Sequence, residues 1–173
     1  MKLVIAEKPS VARDLARVLG VKTRKKGYFE GNGLCISWCF GHMCTLQEPA
    51  QYTLEWKRWS MDYLPMVPEN FRLRLLDSVK EHWGILKKLL LRQDCDYVIN
   101  ACDAGREGEL IFRYAYDLSG CKTPVKRLWV SSLTEESIQN GWKNLRPSED
   151  FDRLADAARC RSEADWLVGM NAT

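Results

Sequence analysis

Short apolar runs and helical stripes alternate along this chain. Leu3, Val4, Ile5 and Ala6 make a compact run that predicts a first strand, buried on both faces. Pro9 suits the first turn of a helix, and Val11, Ala12, Leu15, Ala16 and Leu19 then recur at helical spacing before Gly20. Residues 34–40 alternate weakly and predict a strand, with Asn32-Gly33 as the hairpin turn before it. Residues 71–76 predict another strand. Ser78-Val79-Lys80-Glu81 has the form of a capping box, and Val79, Trp83, Leu86 and Leu90 make one helical stripe behind it. Tyr97-Val98-Ile99 is a β-branched run that predicts a buried strand, followed by a helix over 110–116. A short strand is predicted over 125–130. Ser132-Leu133-Thr134-Glu135 is a second capping-box pattern, opening a helix to about Leu145 that Arg146-Pro147-Ser148 breaks. A longer helix runs on from Glu149. Such alternation implies a largely parallel sheet with helices on both sides.

Chemistry gathers where strands give way to helices. Asn100-Ala101-Cys102-Asp103-Ala104-Gly105-Arg106-Glu107-Gly108-Glu109-Leu110 holds three carboxylates and two glycines at one such crossing. Sites in open α/β sheets collect outside the carboxyl ends of strands. Asp103 and Glu107 are hard oxygen donors of the kind Mg²⁺ accepts. Gly105 and Gly108 allow a tight turn or a close approach to a ligand. A solvated acidic turn is the plain alternative. Glu7 and Lys8 lie at the same kind of crossing after the first strand, so in a parallel sheet the two stretches are expected to converge. An acid at a helix start gains from the dipole, but Lys8 there gains nothing, which favours a site over a cap.

Composition narrows the class. The chain has 173 residues, 46% hydrophobic and 28% charged, with a net charge of +3. That suits one globular domain or a domain with an appendage, and permits nucleic acid without demanding it. The apolar run before Glu7 is only Leu3 to Ala6, too short for a signal peptide's apolar core, and no run reaches the ~18 residues of a membrane span. A cytoplasmic protein is expected. Seven scattered cysteines with no C-x-x-C pair imply reduced core thiols. Cys39, His42 and Cys44 match no standard zinc spacing. The basic run Lys22, Arg24, Lys25, Lys26 reads as a solvated loop or a phosphate contact. Residues 41–68 are rich in Trp, Tyr and Pro; they read as a loop pinned by its aromatics or as a grip on single-stranded nucleic acid. In the last helix the apolar face of Leu154, Ala155 and Ala158 meets Arg161 and Asp165 when continued, either as a rim pair or as functional groups. The apolar end at 166–173 suggests a piece of something longer.

Several of these motifs, taken together and in order, resemble one family. Glu7-Lys8-Pro9-Ser10, Gly41-His42, Leu64-Pro65-Met66-Val67-Pro68, residues 103–109, Ser131-Ser132-Leu133-Thr134 and residues 161–171 look like the N-terminal part of bacterial topoisomerase III, a type IA DNA topoisomerase. The resemblance spans essentially the whole chain. It implies a Toprim fold, a Rossmann-like parallel sheet flanked by helices, over residues 1–131. Residues 132–173 would begin the next, helical domain. It implies cleavage of one DNA strand by a tyrosine, strand passage and resealing. Glu7, Asp103 and Glu107 would bind Mg²⁺, with Glu7 also moving a proton at the 3′-oxygen. Lys8 would stabilise phosphate charge, and Lys8, Arg106 and Arg161 would contact single-stranded DNA. Two departures stand out. The family's Asp-x-Asp-x-Glu has Gly105 at its middle position, and none of the six tyrosines falls in a catalytic-tyrosine motif. This piece is therefore not expected to react without the parent's remaining domains. Other Toprim users (a primase or nuclease), a non-catalytic nucleic-acid-binding module and an Asp103 phosphatase are the alternatives.

Overall fold

Three apolar strands lie side by side at the centre of the computed structural model, which describes residues 1–172. They are β1 (Lys2–Ala6), β4 (Leu34–Trp38) and β7 (Tyr97–Ala101). β1 pairs in parallel with both neighbours, Ala6 standing opposite Trp38 on one side and Ala101 on the other. Leu3, Val4, Cys35, Ile36, Val98 and Ile99 are fully buried, so both faces of this centre are covered. Near-continuous Val, Ile and Leu runs are the signature of such strands.

The remaining strands extend the sheet outward. β2 (Thr23–Lys25) and β3 (Tyr28–Gly31) join β4 as antiparallel ribbons; β8 (Val125–Arg127) pairs in parallel with β7, and β9 (Arg146–Pro147) closes the far side. The order is β2-β3-β4-β1-β7-β8-β9, with a separate ribbon of β5 (Cys44–Leu46) and β6 (Leu73–Leu75). Asn32 and Gly33 turn β3 into β4 with φ of 52° and 73°, as the predicted hairpin requires.

Helices cover both faces. α1 (Pro9–Val18) and α4 (Glu135–Lys143) pack on one, through Val11, Ala12, Leu15, Ala16 and Ile138. α2 (Lys80–Leu90), α3 (Arg106–Ser119) and α5 (Asp152–Asn171) cover the other, through Trp83, Leu86, Leu110, Phe112 and Trp166. No helix among the described residues is long and apolar enough to cross a membrane.

Several local expectations are corrected. Lys22 to Lys26 is not a loop: its middle is the exposed edge strand β2. Ser78 caps nothing; a single 3₁₀ turn, Asp77–Val79, leads into α2, and Glu81 turns away to pair with Lys26. The second capping box slips by two residues, because Thr134 caps α4 by accepting from the Ser137 N–H while Ser132 Oγ accepts from the Thr134 N–H. The strands predicted over 34–40 and 125–130 stop at Trp38 and Arg127. Arg161 and Asp165 do not continue the inner face of α5; both are exposed, and Ala155, Ala158 and Trp166 are buried instead. The cysteines are free thiols, five of them buried, with Cys95 half-buried and Cys160 exposed. Residues 41–68 follow the pinned-loop reading, with Tyr52 and Trp56 against the core, though Trp59 stays half-exposed. Asn171 fastens the far end by accepting from the Met66 N–H at 2.6 Å and donating to its carbonyl at 3.1 Å. Thr173, the last residue of the predicted apolar end, lies outside the described residues.

Candidate active site

β1 leads through α1 to β4 on one side, while β7 leads through α3 to β8 on the other. The line between β1 and β7 is thus the point where the winding reverses. A crevice opens there at the carboxyl ends of the strands. Glu7 leaves β1 at this point and Asp103 follows β7 by two residues. The Asp103 N–H donates to Glu7 Oε2 at 3.3 Å, and Lys8 Nζ stands 3.1 Å from Glu7 Oε1. Glu7 is buried, whereas Lys8 and Asp103 are exposed. The Lys8 ammonium is held above its ordinary pKa, first by its hydrogen bond and charge contact with Glu7 and then by the Asp103 carboxylate. Glu7, Lys8 and Asp103 therefore converge as the pattern of strand ends predicted.

Glu107, the second residue of α3, lies in its first turn and is exposed. Its carboxylate is in short contact with the Nε2 of His42, from the loop after β4. These two side chains and Arg106, Arg161 and Asp165 line a cavity of about 210 Å³. Arg161 and Asp165 pair across its rim at 3.7 Å. The predicted residues thus fall into two adjoining groups, Glu7–Lys8–Asp103 and Arg106–Glu107–Arg161.

Among the described residues no three His, Cys, Asp or Glu side chains stand ready to enclose an ion. An all-protein cage is therefore absent there. Mg²⁺ is commonly held by one or two carboxylates, with waters and substrate phosphate completing its shell. Asp103 and Glu107 are exposed all-oxygen donors of the kind that mode uses, although they line adjoining cavities and Glu107 already meets His42.

Beneath the exposed groups lies a buried network that sequence reasoning passed over. Arg127, at the end of β8, is 1% exposed. Its guanidinium donates to the carbonyls of Asn100, Cys102 and Leu128 at 3.0, 2.7 and 2.9 Å, and to that of Asp103 at 2.8 Å. Glu109 Oε2 lies 3.1 Å from Arg127 Nε, a charge contact whose N–H is too poorly aimed to be a hydrogen bond. Asn100 Nδ2 and Arg113 Nε donate to the same carboxylate at 3.0 and 2.9 Å. Burial lowers the Arg127 pKa, opposed chiefly by the charge of Glu109. A charged residue inside the apolar run 125–130 was the signal available for this network. Cys102, next to Asp103, is no candidate nucleophile: the Cys39 thiol beside it and its burial hold its pKa well above the ordinary value.

The two glycines have different duties. A Cβ on Gly108 would lie 2.2 Å from the Asp103 carbonyl oxygen, so the close approach is to the loop's own backbone, not to a ligand. A Cβ on Gly105 would meet nothing within 4 Å, and its φ of 164° is ordinary extended backbone.

Comparison with known proteins gives the family. The Toprim domain model matches residues 2–133. The chain is 45% identical over 171 residues to DNA topoisomerase 3 of Bacillus thuringiensis strain Al Hakam, covering 99% of this chain and 24% of that protein. DNA topoisomerase 3 of Shouchella clausii is 45% identical over 172 residues, again with 99% and 24% covered. The chain thus spans about a quarter of the length of these relatives. Full-length topoisomerase I from Thermotoga maritima shares the fold, with a TM-score of 0.62 at 20% identity over 96% of this chain and 24% of that one. With three-quarters of its residues inside the matched region, this chain belongs to the Toprim domain family.

Proposed function

We propose that this chain is the N-terminal, Mg²⁺-binding part of a type IA DNA topoisomerase. It would act on single-stranded DNA in the cytoplasm, in concert with the further domains that its longer relatives contain. The observation that carries the reading is the meeting of Glu7, Lys8 and Asp103 at the switch point. The 45% identity to DNA topoisomerase 3 proteins across nearly the whole chain supports it. On this reading residues 1–131 form the Toprim unit and residues 132–173 begin the next domain, whose helices α4 and α5 pack on the sheet.

Each residue has a task that its surroundings suit. Asp103 and Glu107, with Glu7 beside them, would hold Mg²⁺, which when bound neutralises charge on a phosphate's non-bridging oxygens. Lys8 has an exposed ammonium and supplies a second cation to the same oxygens. Glu7 is buried with one oxygen against Lys8, and would help move a proton at the 3′-oxygen, taking it up from water before giving it to the departing oxygen. Arg106 and Arg161 bind neighbouring phosphates. Arg127 keeps the Asp103 loop in shape by holding its carbonyls.

Calorimetric titration of the chain with Mg²⁺ tests the metal assignment. One binding event is expected, abolished by Asp103→Asn and weakened by Glu107→Gln. Binding of single-stranded DNA without any Mg²⁺ uptake would instead favour a non-catalytic module.

A further inference from the structure

The same edge of the sheet continues past the crevice to a second cavity. β4 ends at Trp38, and Cys39 and Phe40 follow. Gly41 then donates its N–H to the Glu7 carbonyl at 3.1 Å. Phe40 is therefore tied by its neighbour to the residue at the heart of the proposed site, yet it is 50% exposed. Behind it opens a cavity of about 300 Å³, lined by Trp38, Phe40, His82 and Ile85. Lys26 and Glu81 also line it, with their charged ends 2.6 Å apart.

The walls combine flat aromatic surface with polar edges. Trp38 and His82 stack at 5.3 Å, and Phe40 meets the His82 ring edge-on at 4.8 Å. His82 Nε2 lies 2.7 Å from the Trp38 carbonyl, which can only accept, so this nitrogen carries the ring proton. Burial lowers the His82 pKa and keeps the ring neutral at pH 7. Nδ1 is then an acceptor, on the side where an added Gly27 Cβ would come within 3.2 Å. Trp38 is 9% exposed, so it forms the back wall and Phe40 the open face. Outside the cavity runs β2, exposed throughout, with Arg24 and Lys25 between Lys22 and Lys26.

A stacking face, an acceptor and a basic border are what an unpaired nucleobase and its backbone require. We propose that this cavity receives one base of a single-stranded nucleic acid, whose sugar–phosphate chain runs along the carboxyl edge from Lys8 towards Lys26 and β2. The base stacks on Phe40. This inference extends the topoisomerase reading, because it gives the strand held at Lys8 a direction across the molecule.

Fluorescence anisotropy with two labelled oligonucleotides tests it. One is a short oligothymidylate; the other is an abasic strand of the same length, with the same phosphates and no bases. The chain should bind the oligothymidylate more tightly. Phe40→Ala should weaken that binding about fivefold or more, the range of one lost stacking contact, and leave abasic binding unchanged. Phe40→Trp should restore it, and unchanged thermal midpoints would show that both variants fold. Equal affinity of the two strands for the unaltered chain, or equal loss of both in Phe40→Ala, would overturn the base subsite. An apolar protein segment as the true occupant would produce that same indifference to bases. Lys8→Ala separates this failure from failure of the wider reading, since it should weaken both strands alike. Loss of the base effect with the Lys8 effect intact removes the subsite alone; absence of both removes the strand-binding reading with it.

Discussion

The two edges of the central sheet carry similar charged residues and use them in opposite ways. At the amino edge the charges close on one another. Arg92 donates to both oxygens of Asp94 at 2.9 and 2.8 Å and to Glu30 at 3.3 Å, and the N-terminal amine lies 3.2 Å from Asp96. At the carboxyl edge they are layered. Arg127 and Glu109 pair underneath, while Lys8, Asp103, Arg106, Glu107 and Arg161 remain exposed above them. A closed surface pair adds little beyond its own geometry. A buried pair that also grips backbone carbonyls fixes the shape of the exposed groups over it.

This contrast can be broken most forcefully at Arg127. Arg127→Met leaves Glu109 buried with Arg113 as its remaining counter-charge and takes a donor from four carbonyls, of which Asn100 keeps the Leu128 N–H; a loss of about 3–5 kcal/mol is expected, read as a lower urea midpoint at unchanged slope. Adding Glu109→Leu should recover only part of it, because the carbonyls of Cys102, Asp103 and Leu128 still lack the Arg127 donor. Full recovery would reduce Arg127 to a partner for Glu109.

The exposed layer is sharpened by Gly105→Asp. The backbone there is extended and the space empty, so the new carboxylate can join Asp103 and Glu107. Mg²⁺ affinity should rise several-fold, on the order of tenfold, in a titration calorimeter. Crowded carboxylates should also bind a proton more readily when metal is absent, so metal uptake should release it in buffers of different ionisation heat. Equal affinity would mean that residue 105 does not face the ion.

A smaller change is expected from Lys8→Ala. If its ammonium meets one phosphate, the slope of log affinity against log salt for single-stranded DNA should fall by about one. An unchanged slope would place the backbone elsewhere.

The least effect belongs to the amino edge. Arg92→Ala should leave Mg²⁺ and DNA binding untouched. Its effect on stability should follow Asp94, whose pKa is held below the ordinary 3.8, first by its hydrogen bonds from Arg92. A depressed carboxyl pKa stabilises the folded state fully above the unfolded value, and that contribution fades as pH falls through the folded one. The gap between the two proteins should therefore be constant from pH 7 to pH 5 and close only below about pH 4. A gap that widens on acidification would contradict the pairing.

Much of the fold was legible because the strand runs of 2–6 and 97–101 and the stripes of α1 and α2 carry strong periodicity. The convergence of Glu7 with Asp103 was legible too, since both follow parallel strands. The caps were misread because Ser78 and Ser132 fit a spacing rule, whereas the chain's entry into each helix depends on packing around Val79 and Ile138. Glu107 and Glu109 look alike in sequence, yet one reaches His42 at the surface and the other meets Arg113, Asn100 and Arg127 in the interior. Only the rotation of α3 against β8 separates them. The inner face of α5 was continued wrongly through Arg161 and Asp165, since Ala158 and Trp166 define it, whereas the alternative of a rim pair between the two is what the structure shows.

The Asp103 backbone packed against Gly108 has a consequence for anyone reshaping this loop. Randomised libraries would tolerate variety at residue 105, where an added side chain finds room, and would return almost nothing but glycine at residue 108. One glycine is a dial and the other a rivet. Selection for altered metal preference can therefore work at residue 105 while residue 108 preserves the frame in which any new ligand is presented.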